Sequence, residues 1–462
     1  MATPTDVQLK DALISLKSSN PTLGISKVHS LLLKTHPEWV VSEKRTRKFL
    51  QNEGLTIVDP ASVNNGTSPS SNKSDKVVYP SSRLIPNLDV SKWTNKVEVK
   101  YFNKKKGKGL VAKEKIKEGE AIWKEDPYVI APEWEIYDFQ TQSVACSFCT
   151  TPFSSTVTTS LVTSCPASTS STPCPARFCN RLCRERSARH HSFLCPAQNP
   201  ASVPLMKWGR EVQWMGLHAL AQLTSRLLTV SQLGEKSSEL LDEEWKTISG
   251  FAQLSLEDRE KYHFKGQREP DQAGWKKAYQ LYIEAFKEPK SPADQKKLAK
   301  LIKKPLKRDI DRGLFDYESF LKNLGKMSLN LEAHGGLYVL HSHLNHSCTP
   351  NVSIRHLDQR TALARITVVA KQDIEPGEEL FITYVNPQLG VRSRQIELEA
   401  WGFGKCACKR CVTEEKEERV KEQQKQRTMD KDLAGVDSEA RQGTEMDMAD
   451  LEKELKAGLG VM

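Results

Sequence analysis

Asn345-His346-Ser347-Cys348-Thr349-Pro350-Asn351 is followed 26 residues later by Gly377-Glu378-Glu379-Leu380-Phe381-Ile382-Thr383-Tyr384, and the reading of these two stretches decides the fold. Taken alone, an Asn-His pair before a Cys-x-Pro turn is either a hydrogen-bonded loop or a ligand-binding corner, and both stay open at this point. The second stretch is a tight turn at Pro376-Gly377 leading into the β-prone run Leu380 to Tyr384. It has an echo far upstream: Ala112-Lys113-x2-Ile116-x2-Gly119-Glu120 repeats as Ala370-Lys371-x2-Ile374-x2-Gly377-Glu378. Each copy reads strand, turn, strand, with a chance likeness of two β-turns as the bland alternative. Between the copies lie a cysteine cluster at 146–195 and a helical stretch over 205–330. One β domain interrupted by a large insertion is therefore expected, with its flanks meeting in space.

The cluster runs Cys146-x2-Cys149, Cys165-x8-Cys174, Cys179-x3-Cys183, His191-x3-Cys195. A closed zinc site takes four ligands, and short spacings let two thiolates on one turn reach an ion at ~2.3 Å, so eight ligands suit two zincs. Buried inert thiols are the alternative. However, 15 of the 23 residues from Thr150 to Thr172 are Ser or Thr, too few apolar groups for a core, so metal has to supply the fold. Cys406-x-Cys408-x2-Cys411 offers three more ligands, and Cys348 is the one cysteine left over. Eleven cysteines and His191 then make three groups of four with no remainder.

Around these motifs the chain has 462 residues, 38% hydrophobic and 27% charged, enough for two or three domains and against wholesale disorder. The longest charge-free stretch, Phe139 to Ala176, is rich in Ser, Thr, Pro and Cys and cannot stand in for the ~20 apolar residues of a membrane span. A soluble protein is expected. The start Met-Ala-Thr-Pro-Thr-Asp signals neither secretion nor organelle import, which leaves cytosol or nucleus, where thiols stay reduced and bind metal.

The net charge of +10 is uneven: the last 51 residues carry 9 basic and 14 acidic side chains, leaving +15 on residues 1–411. A basic body suits nucleic acid or chromatin, or is a solvated lysine surface. Helices are expected at Val7–Lys17, Ser26–Thr35 and Lys44–Asn52, the third capped by Ser42. That helix clusters Lys44, Arg45, Arg47 and Lys48, which could track a phosphate backbone or be a wet face. Residues 61–82 read as a linker. In the insertion, Trp214, Leu217, Leu220, Ala221 and Leu227 have core spacing, and Lys287 to Arg308 reads as a wet face. Beyond Cys411 no aromatic residue occurs, which predicts disorder or an exposed helix.

Gly107-Lys108-Gly109-Leu110, Asn345-His346-Ser347-Cys348, Gly377-Glu378-Glu379-Leu380 ending in Tyr384, and Phe403-Gly404-Lys405-Cys406-x-Cys408-x2-Cys411, in this order, strongly resemble the SET domain protein-lysine methyltransferases. The eight-ligand cluster resembles a MYND zinc finger inserted into that domain, although Cys165-x8-Cys174 is wider than the x2 usual there. The resemblance covers roughly residues 93–411 and is nearest to a fungal histone lysine methyltransferase acting on histone four. It implies an α+β fold: a split SET β-fold interrupted by a zinc-finger and helical insertion, a zinc-bound post-SET segment and a small N-terminal helical domain. The corresponding boundaries are 1–60 N-terminal helical, 61–92 linker, 93–145 first SET part, 146–195 finger, 196–330 helical insertion, 331–385 second SET part, 386–411 post-SET and 412–462 charged tail.

The resemblance implies S-adenosyl-L-methionine as cofactor, with Tyr384 as the catalytic tyrosine that orients the substrate amine. A lysine of pKa ~10.4 must lose its proton before it attacks, so alignment and a dry channel matter more than a strong acid or base. Backbone around Gly107, Lys108, Gly109 and Leu110 would approach the cofactor, Asn345 and His346 would bind its amino and adenine groups, Phe403 would pack near the adenine, and Tyr384 would border it. The cross-braced pattern of the family assigns Cys146, Cys149, Cys179 and Cys183 to one zinc and Cys165, Cys174, His191 and Cys195 to the next. Cys348 would complete the third with Cys406, Cys408 and Cys411, coupling metal to active site. Tyr338 is the alternative catalytic tyrosine.

A histone tail, that of histone four above the others, is the implied substrate, with chromatin as partner and nucleus (chromosome) and cytoplasm as locations. Asp373, Glu375, Glu378 and Glu379 could attract its lysines or simply solvate a turn. A Pro-rich peptide at the finger is a further implied partner, a membrane is not, and direct DNA binding stays open. A non-catalytic adaptor is the competing function, but it has no need of Tyr384, Asn345 and His346. A base-reading zinc-finger factor fits less well, because the two-Cys, two-His spacing is missing.

Overall fold

The computed structural model describes residues 3–20, 23, 25–52, 77–104, 106–153, 161–234, 237–263, 271–356 and 364–442. It divides into two compact units, Met1–Lys76 and Val77–Met462. The first holds α1 (Asp6–Ser19), α2 (Ile25–Thr35) and α3 (Glu43–Asn52). Thr5 and Gln8 form a capping box on α1, and Ser42 Oγ accepts the Arg45 N–H at 3.2 Å. These orphan amides are what a cap satisfies, so the helices start where the capping residues stand. Leu9, Leu13, Val28, Leu32, Val41 and Leu50 close the core. On α3, Arg47 pairs with Glu43 at 3.4 Å and Arg45 donates to the Pro4 carbonyl at 2.9 Å, so two of the four basic groups are engaged internally. The Lys48 side chain lies outside the described residues.

The second unit begins with β1 (Val97–Asn103), β2 (Gly107–Ala112), β3 (Ala121–Glu125), β4 (Val129–Ile130) and α4 (Trp134–Thr141). The cysteine-rich insertion contains β5 (Thr163–Ser164), β6 (Arg177–Phe178) and α5 (Arg181–His191). Eight helices follow: α6 (Val203–Glu211), α7 (Met215–Ser231), α8 (Ser237–Gly250), α9 (Leu256–Tyr262), α10 (Gln272–Phe286), α11 (Pro292–Leu301), α12 (Arg308–Phe315) and α13 (Tyr317–Asn330). Then come β7 (Gly336–Leu337), β8 (Asn345–His346), β9 (Val352–Arg355), β10 (Ile366–Ala370), β11 (Phe381–Ile382), α14 (Val391–Ala400) and α15 (Lys409–Gln442). None of the described helices is long and apolar enough to cross a membrane.

α7 is the axis of the helical part. Leu217, Leu220, Ala221 and Leu227 are at most 1% exposed and pack in one cluster with Tyr282 and Phe320, the apolar face that near-helical spacing requires. The β part has its own core of Leu110, Ile116, Ile122, Val368, Ile374 and Leu380. Here the two flanks of the insertion meet: β3 pairs antiparallel with β10, which also pairs with β9.

The internal repeat has a structural meaning. Its copies pair with each other about a local two-fold. Ile116 and Ile374 exchange both backbone hydrogen bonds at 2.9 Å. Gly119 donates to Ala370 at 3.0 Å as Gly377 donates to Ala112 at 2.8 Å, and Ala370 donates to Glu120 as Ala112 donates to Glu378. Both turns need a left-handed residue, φ +79° at Gly119 and +86° at Gly377, which glycine adopts without steric cost.

The linker expectation changes in part, and the tail takes the second of its two expected forms. The linker reading of 61–82 falls partly on residues outside those described, but from Val77 on the chain is tied down, since Ser81 exchanges hydrogen bonds of 3.0 and 2.8 Å with Gln253. The tail beyond Cys411 is helical as far as Gln442, and it is fastened to α14 where Arg392 pairs with Glu418 at 3.1 Å and with Glu422.

Candidate functional site

The two stretches that open the sequence reading form one corner. β8 and β11 run parallel with Phe381 opposite Asn345 and Ile382 opposite His346. Asn351 staples the corner, its Nδ2 donating to the Glu379 carbonyl at 2.8 Å and its Oδ1 accepting the Phe381 N–H at 2.7 Å. Tyr384, next along, donates its hydroxyl to the Leu344 carbonyl at 2.7 Å and its backbone N–H to His346 Nδ1 at 3.0 Å. Its ring lies 4.8 Å from that of Phe403 and 5.3 Å from that of His346. Burial, and then the Glu332 and Glu379 carboxylates, push the Tyr384 phenol well above its ordinary range, so it is a hydroxyl donor at neutral pH and no base. Burial and the Arg394 charge pull His346 down to about 4. Its imidazole is neutral at pH 7, and since Nδ1 accepts, Nε2 carries the proton.

The glycine-rich strand β2 lies against this corner. Leu380 donates to the Leu110 carbonyl at 2.9 Å, and Asn345 Nδ2 donates to the Lys108 carbonyl and to Glu379 Oε1, each at 2.9 Å. Thus Gly107 to Leu110, Asn345, His346, Tyr384 and Phe403 share one neighbourhood. A Cβ on Gly109 would fall 2.6 Å from the Phe102 ring and 2.8 Å from Asn345 Nδ2, and one on Gly107 would fall 2.6 Å from Ser82 Oγ. Packing therefore requires glycine at 109, while at 107 the left-handed φ of +75° favours it. The Lys108 side chain turns away and is 3% exposed, with Nζ 3.4 Å from Ser342 Oγ and 5.7 Å from the Phe251 ring centre. Burial pulls its pKa down to about 7.

The cysteines gather as three groups: Cys146, Cys149, Cys179 and Cys183; Cys165, Cys174, His191 and Cys195; Cys348, Cys406, Cys408 and Cys411. Within each group all four donor atoms lie within 4.8 Å of one another. A tetrahedron of sulfurs at 2.3 Å from zinc has edges of about 3.8 Å. Observed separations are 3.5 Å for Cys149–Cys179, 3.8 Å for Cys165–Cys195, and 3.4 and 4.0 Å from Cys348 to Cys411 and Cys406. These distances suit a shared ion and are far from the ~2.05 Å of a disulfide. The wide Cys165-x8-Cys174 spacing is taken up by a loop closed on itself, with Ser168 Oγ accepting the Cys174 N–H at 2.9 Å and Thr169 meeting Thr172 at 2.8 Å.

Glu125 escaped the sequence reading. It is 2% exposed, and its carboxylate accepts the N–H groups of Leu340 at 2.8 Å and His341 at 3.0 Å and the Trp123 indole at 3.1 Å, holding the turn that delivers Asn345. In strand β3 it reads as a solvent-facing charge, and only the fold shows otherwise. Glu125→Ala strands three buried donors at ~1–3 kcal/mol each. Urea unfolding is expected to show a loss of about 3 kcal/mol or more.

Two expectations are corrected. The four carboxylates near Tyr384 are occupied: Lys115 pairs with Glu375 at 2.6 Å and Asp373 at 3.8 Å, Glu378 accepts the Glu375 N–H at 2.8 Å, and Glu379 pairs with Lys106 and Asn345. Three have a lysine partner and all four brace turns, which favours the second of the two roles expected of them. Tyr338 is fully buried, with its hydroxyl against His334 Nε2 at 2.8 Å and the Ala364 carbonyl, which makes it a core residue.

The SET domain family model matches residues 228–385, which include the Asn345 corner and Tyr384. Three fungal relatives carry the name histone-lysine N-methyltransferase SET5. That of Yarrowia lipolytica is 29% identical over 433 residues, 90% of this chain and 84% of the relative. That of Mycosarcoma maydis is 28% identical, covering 90% and 89%, and that of Saccharomyces cerevisiae is 25% identical, covering 89% and 76%. A solved structure, the SET domain of LSMT bound to lysine and AdoHcy, aligns over 67% of this chain and 53% of that one at 12% identity and a TM-score of 0.26, a superposition too loose to carry an argument. The chain thus carries a match to the SET domain over residues 228–385 and is similar along about 90% of its length to the fungal SET5 proteins.

Proposed function

We propose that the chain is an S-adenosylmethionine-dependent histone-lysine N-methyltransferase that holds three zinc ions, with the tail of histone four as its favoured substrate. The observation that carries this reading is the protonated hydroxyl of Tyr384, held at the junction of β8, β11 and Phe403. A neutral amine attacking a methyl group needs alignment more than proton transfer, and a fixed hydroxyl beside an apolar ring gives that, with the hydroxyl proton held by the Leu344 carbonyl and the oxygen left to accept an amine N–H. When bound, the cofactor supplies an electrophilic methyl on a sulfonium. The chain's own residues do the rest: Asn345 and the β2 backbone offer amide and carbonyl groups to its polar end, Phe403 offers a face to its base, and Tyr384 orients the lysine amine. The three cysteine groups fit zinc by their donor set and spacing.

The name borne by the SET5 relatives supports a histone substrate. The basic body, +15 before the tail, suits a protein that works near DNA on chromatin, in the nucleus as well as the cytoplasm, and the finger-like insertion remains a candidate site for a Pro-rich peptide. The test is transfer of tritium from labelled S-adenosylmethionine to each core histone and to tail peptides with single Lys→Arg changes. Labelling confined to non-histone proteins in a whole-cell extract would overturn the histone substrate and leave the methyltransferase reading standing. Absence of any transfer, with the cofactor bound, would favour the adaptor.

A further inference from the structure

Arg394, on α14, is a fully buried guanidinium at 0% exposure. Its Nε donates to Cys348 Sγ at 3.3 Å, one Nη to Cys411 Sγ at 3.6 Å and to Glu414 at 2.5 Å, and the other Nη to the Leu389 carbonyl. Glu414 is shared, for it also pairs with Arg410 at 2.5 Å. A buried cation costs several kcal/mol unless matched, and half a carboxylate is a poor match. The missing negative charge is at hand. Four thiolates around a divalent ion leave a formal surplus of two negative charges, which need a cation where water is excluded. Among the described residues, no Arg or Lys side chain donates to a sulfur of the other two cysteine groups.

We propose that Arg394 is a positioning residue for the third metal centre: it fixes the Cys348 and Cys411 sulfurs in place by hydrogen bonds, sets how firmly that ion is retained, and through Cys348 steadies the catalytic corner. The path is short. Cys348 Sγ lies 3.4 Å from His346 Nε2, and His346 Nδ1 accepts the Tyr384 N–H at 3.0 Å. Arg394, Cys348, His346 and Tyr384 thus form one hydrogen-bonded line from α14 to the tyrosine. This inference rests on reading the Cys348 group as a zinc site.

The test is zinc release from purified full-length Arg394→Met and Arg394→Lys to a metallochromic chelator, with zinc stoichiometry and circular dichroism as controls. Loss of an outer-shell partner weakens metal binding ~10–100-fold. One of three zincs is therefore expected to leave Arg394→Met at least about 10-fold faster than wild type, and Arg394→Lys to fall between, since lysine keeps the charge but loses the fork. The other two zincs should leave at wild-type rates. If Arg394→Met fails to fold, the Lys variant carries the test. Wild-type release of all three zincs from the folded variants would overturn the role of Arg394. A wild-type protein whose zinc content is unchanged by Cys408→Ser would instead overturn the zinc reading, and the proposal with it.

Discussion

Tyr384→Phe is expected to lower methyl transfer roughly 100-fold or more, in line with removing one preorganised hydrogen-bonding group from a reacting centre, while fold and zinc content stay as they are. The hydroxyl makes one hydrogen bond, to the Leu344 carbonyl, worth about 1 kcal/mol, so the melting temperature should fall by only a few degrees. The ring, its contact with Phe403 and the backbone bond to His346 all survive the change. Single-turnover rates with saturating cofactor separate the loss in chemistry from any loss in binding. A variant that transferred methyl at the wild-type rate would remove Tyr384 from the reaction. Tyr338 could not take its place without leaving the core.

Cys348→Ser should lose one zinc of three and most activity together. The serine hydroxyl is a poor ligand, and the change also takes away the sulfur that His346 Nε2 and Arg394 Nε both face. Two things therefore fail at once, the anchoring of Cys406, Cys408 and Cys411 and the orientation of the ring that accepts the Tyr384 N–H. Elemental analysis and turnover on the same preparation check this. A protein with two zincs and full activity would break the coupling, and one that kept three would break the ligand assignment. The other eight ligands are tied within their own insertion, so Cys146→Ser should also cost one zinc but leave the Tyr384 corner standing.

The count of three four-ligand groups was legible in residue type and spacing, since eleven cysteines and His191 leave no spare donor; the interleaving of the first eight came from the family resemblance, and the described atoms fall into the same three sets. The third N-terminal helix was legible because Ser42 stands as its cap; the Thr5–Gln8 capping box on the first was not read and came from the structure. Arg394 was not legible either. In Val391-Arg392-Ser393-Arg394 it looks like any solvated arginine, and its burial arises only where α14, α15 and the Cys348 turn converge. The charges around Tyr384 misled for the same reason. Glu379 has its cation at Lys106, far away in the chain, so proximity in sequence to the tyrosine said nothing of its availability. The glycines of β2 were found, but the demand that fixes Gly109 comes from Phe102 and Asn345 as neighbours in space.

The two-fold pairing of Ala112 with Gly377 and Glu378 also bears on how the chain comes to be folded. It joins points about 265 residues apart, and closing a loop of that length costs about 3 kcal/mol more in chain entropy than closing a ten-residue hairpin. Contacts so remote cannot form early. The helices around α7, whose partners are near in sequence, and the cysteine-rich insertion are expected to condense first, shortening the effective loop until the two Gly-Glu turns come within reach. The pairing of those turns, and with it the docking of β2 on the Asn345 corner, is then expected to be the last step of assembly and, in unfolding, the first to be released. Mild denaturant should accordingly abolish catalysis while most of the helical signal persists.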